Sequence, residues 1–160
     1  MLVYLRTMPR RPRKDLPEVG VYHVTRRGTN HCAIDVDDVD RKDVPDLLGS
    51  VVVRHEWTCR AFCLLTNHYH LIVEAAQPDL SSGMQRLNGR YVQLFNQRHG
   101  RDGNLFKGRY SVYVIDSESR LEASCLYVLE NPVRAGLCET PSDWPWSGCH
   151  SLETLSGTGT

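Results

Sequence analysis

The chain has 160 residues, of which 41% are hydrophobic and 24% charged, and its 19 basic and 19 acidic side chains cancel to a formal net charge of zero. That length supports one domain with a real core and is too short for two, while no apolar run is long enough to cross a bilayer. Cys32, Cys59, Cys63, Cys125, Cys138 and Cys149 contain no C-x-x-C pair, which excludes a zinc knuckle or a dithiol redox motif and leaves them as small buried hydrophobes.

Residues 1–18, MLVYLRTMPRRPRKDLPE, are basic and proline-rich and lack an apolar stretch followed by a small-residue cleavage site. They are expected to form a flexible basic arm and not a signal peptide, which places the protein in the cytoplasm. Val19 to Arg27 (VGVYHVTRR) is rich in β-branched and aromatic residues and ends at Gly28, as a strand does. Asp37 and Asp38 are good N-caps for a helix through about His55, in which Pro45 delays the start or kinks the first turns. Trp57 to Thr66 and Tyr69 to Ala76 read as two more strands joined by a tight turn near Thr66-Asn67. Asp79 then caps a long helix in which Leu80, Met84, Leu87, Tyr91 and Leu94 recur at helical spacing. The run from His99 to Gly103 breaks it, Phe106 to Ile115 is a fourth strand, and Asp116 or Ser117 caps a last helix expected to stop at Asn131, before Pro132. SLETLSGTGT at 151–160 is expected to be a disordered tail.

The order β-α-β-β-α-β with one extra C-terminal helix defines an α+β, ferredoxin-like (RRM-like) antiparallel sheet with helices packed on one face. A single domain over 19–150 follows. The zero net charge hides a segregation: acids dominate from Ala33 to Thr58, whereas Arg86, Arg90, Arg98, Arg101, Lys107 and Arg109 face only Asp102 between Ser81 and Tyr113. Local field, more than net charge, decides whether phosphates are attracted.

LLTNHYHLIVE, residues 64–74, sets two histidines one residue apart in an apolar run. Strand alternation points His68 and His70 the same way, about 7 Å apart at Cα, with Tyr69, Leu71 and Val73 on the opposite side toward the helices. Two imidazoles converging from one strand face can hold a divalent ion if a third ligand arrives from elsewhere. On the last helix Tyr127 and Asn131 are neighbours at i and i+4, so one turn offers an amide oxygen and the next a phenol. Taken singly, Tyr127 also reads as a core-edge aromatic and Asn131 as a helix C-cap. Glu74 shares the histidine face and is the rival third ligand, but at about 13 Å from His70 it fits less well than Asn131. Of the other tyrosines, Tyr69 points away, Tyr91 lies on an apolar helix stripe, Tyr4 sits in the arm, and Tyr22, Tyr110 and Tyr113 fall on strands with no ligand candidate nearby.

NHYHLIVE, MQRLNGRYVQLFNQRHGRDGNLFKGRY and YVLENPVRAGL together closely resemble the REP-associated tyrosine transposases, relatives of the single-tyrosine HUH transposases of small bacterial insertion sequences. The resemblance runs from about Tyr22 to Gly148. It implies that His68 and His70 bind Mg²⁺ or Mn²⁺, that Asn131 completes the ligand set, and that Tyr127 is the nucleophile. It also implies metal-dependent nicking and joining of single-stranded DNA through a 5′-phosphotyrosine link, on hairpins from repetitive extragenic palindromes. Monomer and homodimer are both compatible with it, and no membrane partner is expected. Arg26, Arg27 and Asn30 around the Gly28 turn, with Arg90, Lys107 and Arg109, are the expected DNA contacts. The alternative is a non-catalytic single-stranded nucleic-acid-binding module on an RRM-like sheet, whose exposed face would carry aromatics in place of His68 and His70.

Overall fold

Val19–Arg27, the first strand (β1), alternates so that Tyr22 and Val24 enter one core while His23 turns to the other face. The same alternation operates in β2 (Thr58–Leu64) and β3 (His68–Ala76), which with β4 (Ser111–Ile115) and β5 (Ser147–Cys149) complete one antiparallel sheet in the order β4-β1-β3-β2-β5. Three helices accompany it: α1 (Asp38–Arg54), α2 (Gln77–His99) and α3 (Glu118–Arg134). These elements come from a computed structural model that describes residues 12–149. The expected β-α-β-β-α-β order is present, with β5 as an addition.

Both faces of the sheet are covered. Tyr22, Val24, Tyr69, Leu71 and Val73 pack against Val44, Leu48, Leu80, Met84, Leu87 and Tyr91 of α1 and α2. Ala61, Cys63, Ile72 and Ile115 pack on the opposite face against Cys125, Tyr127 and Val128 of α3. The expectation of helices on one face therefore holds for α1 and α2, and α3 seals the face that carries the histidines. Each sealed side chain is worth roughly 1.5–3 kcal/mol relative to exposure, so α3 is held by burial and not by propensity alone.

Several boundaries differ from the sequence reading. Asp37 caps α1 as expected, its side chain accepting from Asp40 N, and Pro45 lies inside a helix that runs on to Arg54. The second helix begins at Gln77, with Ala76 as N-cap and proline in its first turn, so Asp79 sits inside that turn and caps nothing. Phe106 does not start a strand; it makes a lone bridge to Gly28, and β4 begins only at Ser111. The last helix does not stop at Asn131 but passes through Pro132 to Arg134, with Ser117 as N-cap and Gly136 beyond its end at φ 74°. Strand β5, from the segment WPWSGC, pairs with β2 through Ala61–Cys149, Phe62–Gly148 and Cys63–Ser147.

Residues 1–11 and 150–160, hence most of the expected arm and all of the expected tail, lie outside the described residues. The remainder of the arm docks on the domain: Leu16 is buried, and the Tyr22 hydroxyl donates to Pro17 O at 2.8 Å. Cys63 and Cys125 are buried, and the other four cysteines half-buried. No helix among the described residues is long and apolar enough to cross a membrane.

Candidate active site

Strand pairing builds the centre of the site. Thr25 of β1 and Cys63 of β2 flank His70, while Arg27 lies opposite His68 at the end of β3. Each histidine has its Nδ1 engaged by a neighbour. His68 Nδ1 lies 2.6 Å from Asn67 Oδ1, and His70 Nδ1 lies 2.9 Å from His23 Nε2. Asn67 Oδ1 can only accept, so His68 carries its proton on Nδ1 and keeps a bare Nε2. The two rings stand 5.0 Å apart, edge to face.

Helix α3 brings Tyr127 onto this face. Its ring lies 5.9 Å from His70 and 6.1 Å from His23, centroid to centroid. Tyr127 and Asn131 are both buried. The Asn131 side chain donates from Nδ2 to the main-chain carbonyl of Tyr127 at 3.4 Å. The Arg134 guanidinium stacks over the Tyr127 ring at 4.4 Å and also donates to Tyr127 O. Pro132 removes one main-chain donor from this turn, and two side-chain donors converge on the carbonyl one residue before the one it leaves. Burial raises the Tyr127 phenol above its ordinary value; the Arg134 cation and the Asn131 side chain work against it. Burial also lowers His23 and His68 to about 4, and holds His70 well below 6.5 with help from the neighbouring histidines and Arg134. All three imidazoles are therefore neutral at pH 7, the form that ligates a metal.

A divalent cation fits this donor set. His70 Nε2 is buried and has no hydrogen-bond partner among the described residues, an orphan that an ion would satisfy. His68, His70 and Asn131 are the residues that would hold it. Glu74 is a poorer donor, because it sits opposite Val21 and Thr58, away from His68, and is ion-paired to Arg60 at 3.1 Å. Among the described residues no group of three His, Cys, Asp or Glu side chains forms a metal cluster, so the set depends on the amide.

The expected DNA contacts divide between the two faces. Arg27 is exposed at the histidine end of the sheet, near enough to His68 to disfavour its charged form. Arg26 points the other way, donating to Gly108 O at 2.7 Å and lying 4.8 Å over Phe106. Three segments meet at this end of the sheet: Gly28 N bonds Asn67 O, Thr29 N bonds Leu105 O, and Lys107 N bonds Arg27 O. Asn30 and Lys107 are thereby exposed beside the His68 turn, Asn30 with φ 52°. Arg90 is exposed on α2, where it contacts Gln93, and Arg109 is exposed ahead of β4. Arg98 is taken by Asp37 and the fully buried Asp40.

Three residues escaped the sequence reading. His23 is wholly buried at the centre of the site; the alternation of β1 puts it opposite Tyr22 and Val24, but a lone histidine in an apolar strand carries no signal until its partner strand is known. Arg134 lies beyond the expected helix end and could be placed only once the helix was known to pass Pro132. Tyr113 has no ligand candidate near it in the sequence, and in the fold its ring is 6.0 Å from His23. Cross-strand pairing of His23 with Tyr113 brings it there.

A model of the family described as IS200-like transposases matches residues 21–131. The chain therefore belongs to the IS200-like transposase family, a class of DNA-processing enzymes. Within that class its similarity runs to the REP-associated tyrosine transposases. One relative described in those terms, from Haemophilus influenzae, is 23% identical over 156 residues, covering 86% of this chain and 84% of its own. The fold is shared with a solved REP-associated tyrosine transposase bound to a REP hairpin, at a TM-score of 0.68 and 19% identity, over 88% of this chain and 82% of that one.

Proposed function

We propose that this protein cuts and rejoins single-stranded DNA at hairpins of repetitive extragenic palindromes, with Tyr127 as nucleophile and Mg²⁺ or Mn²⁺ held by His68, His70 and Asn131. The observation that carries the reading is His70, whose buried Nε2 has no partner among the described residues and whose ring lies 5.9 Å from that of Tyr127. The hairpin bound by the solved relative supports the substrate class.

When bound, the cation supplies Lewis-acid polarisation of a non-bridging phosphate oxygen. Arg27, Asn30 and Lys107 at the mouth of the site bind the flanking backbone. Asn131 and Arg134 hold the Tyr127 ring and favour its phenolate. Attack forms the bond from the Tyr127 oxygen to phosphorus as the bond to the 3′ oxygen breaks, leaving a 5′-phosphotyrosine and a 3′ hydroxyl that takes up the proton. The reverse attack by a 3′ hydroxyl reseals a strand without ATP, because the phosphodiester is exchanged and not hydrolysed.

Labelled hairpins from DNA flanking the gene, incubated with and without Mn²⁺ and run on a denaturing gel, test the reading. A metal-dependent protein–DNA adduct that Tyr127→Phe abolishes is expected. Tight binding with no adduct in either metal would instead favour a binding module.

A further inference from the structure

His23 is a buried histidine that no part of that mechanism uses. It lies on the strand next to His70, is 0% exposed, and sets Nε2 2.9 Å from His70 Nδ1. Nitrogens at that distance share one proton, so two arrangements are open. In one, His70 donates from Nδ1 and keeps a bare Nε2. In the other, His23 donates from Nε2, which forces the remaining His70 proton onto Nε2 and closes that atom to a metal.

The neighbouring ligand shows how the site resolves this. Asn67 Oδ1 accepts from His68 Nδ1, which leaves Nε2 as the free nitrogen. Accepting from His70 Nδ1 would make His23 the equivalent of Asn67. Both imidazoles would then present Nε2, from one strand face, with their ring planes fixed from behind. The orphaned atoms agree: among the described residues His70 Nε2 and His23 Nδ1 are both buried without partners, and a cation at the former relieves one of them only in this arrangement.

We infer that His23 is a positioning residue, whose Nε2 accepts the Nδ1 proton of His70 and so fixes the tautomer and orientation in which His70 can ligate a divalent cation. This rests on the metal reading above. Outer partners of this kind commonly change metal affinity 10–100-fold.

The test begins with the metal-free wild-type protein carrying ¹⁵N-histidine, in which long-range ¹H–¹⁵N spectra report which ring nitrogen bears the proton; His70→Gln assigns the resonance. A His70 protonated on Nδ1 is expected, and one protonated on Nε2 overturns the inference. Mn²⁺ binding is then measured by electron paramagnetic resonance without DNA. His23→Leu should bind roughly 10–100-fold more weakly than wild type, and His23→Gln, which keeps an acceptor, should recover most of the loss. Leu binding as tightly as wild type, or Gln as weakly as Leu, overturns the role of His23 while leaving the metal site standing. A wild type that binds no Mn²⁺ removes the metal reading itself and the role of His23 with it. Should His23→Leu not fold, the wild-type tautomer decides the matter.

Discussion

At the scale of single residues, the site separates what the sequence announces from what only contact reveals. His68 and His70 declare themselves because two imidazoles at alternate strand positions defy the apolar run around them. Helical spacing makes Tyr127 and Asn131 neighbours, and the family resemblance is what singles them out. Arg134 is not singled out, since it matters only through its stacking on Tyr127 at 4.4 Å. A desolvated cation–π contact is worth about 2 kcal/mol, so Arg134→Gln should slow adduct formation by roughly tenfold or more. Arg134→Lys should fall between the two, because lysine keeps the charge and loses the planar stack. Single-turnover rates with labelled hairpin at saturating Mn²⁺ measure this; equal rates for Gln and wild type would make Arg134 a mere brace. Tyr113 lies near His23 through cross-strand pairing, a neighbourhood that is invisible in one dimension.

At the scale of elements, caps, breakers, composition and spacing locate the three α-helices and four of the strands among the described residues, while their ends are set by tertiary contacts. Helix α3 runs through Pro132 to Arg134, and the Asn131 and Arg134 side chains both donate to Tyr127 O in the turn before it. Strand β5 is three residues long and exists by pairing with β2; three residues carry too little alternation to be read. Contact between α2 and the segment before β2 has a specific requirement at Gly83, where an added Cβ would lie 2.2 Å from Trp57 Cζ2. Trp57 is buried and its indole donates to Asp79 O at 3.3 Å, so it cannot swing aside without losing that bond. Gly83→Ala should therefore destabilise the protein by about 1–3 kcal/mol despite alanine's better helix propensity. Gly89, whose added Cβ meets nothing, provides the control: Gly89→Ala should be neutral or stabilising. Urea midpoints of the two variants distinguish overpacking from a propensity effect.

At the scale of the whole molecule, a sheet sealed on both faces buries its candidate ligands, and that burial has a signature in pH. His23 titrates near 4 in the folded protein and near 6.5 when unfolded. Between those values the unfolded chain binds more protons, so stability rises with pH across that window and is lost as pH falls from about 6.5 to about 4. Asp35, pushed up to about 6 by burial, acts in the opposite sense below that value. The histidine contribution is thus read as a difference: metal-free wild type should lose more stability than His23→Gln between pH 7 and pH 4.5. Urea denaturation at those two values checks it, and parallel losses would mean His23 is not held neutral. The layering itself was legible in the order of elements, whereas the closure of the histidine face by α3 was not, because the sequence shows that helix's stripe but not the surface it chooses. In the proposed mechanism this closure delivers Tyr127, and not Tyr113 on the same face, to the phosphate. Proteolysis of the Mn²⁺-dependent DNA adduct, followed by tandem mass spectrometry, tests it most directly. A nucleotide phosphate on the peptide containing Tyr127 is the expected result; the modification on Tyr113, or an adduct that persists in Tyr127→Phe, would contradict it.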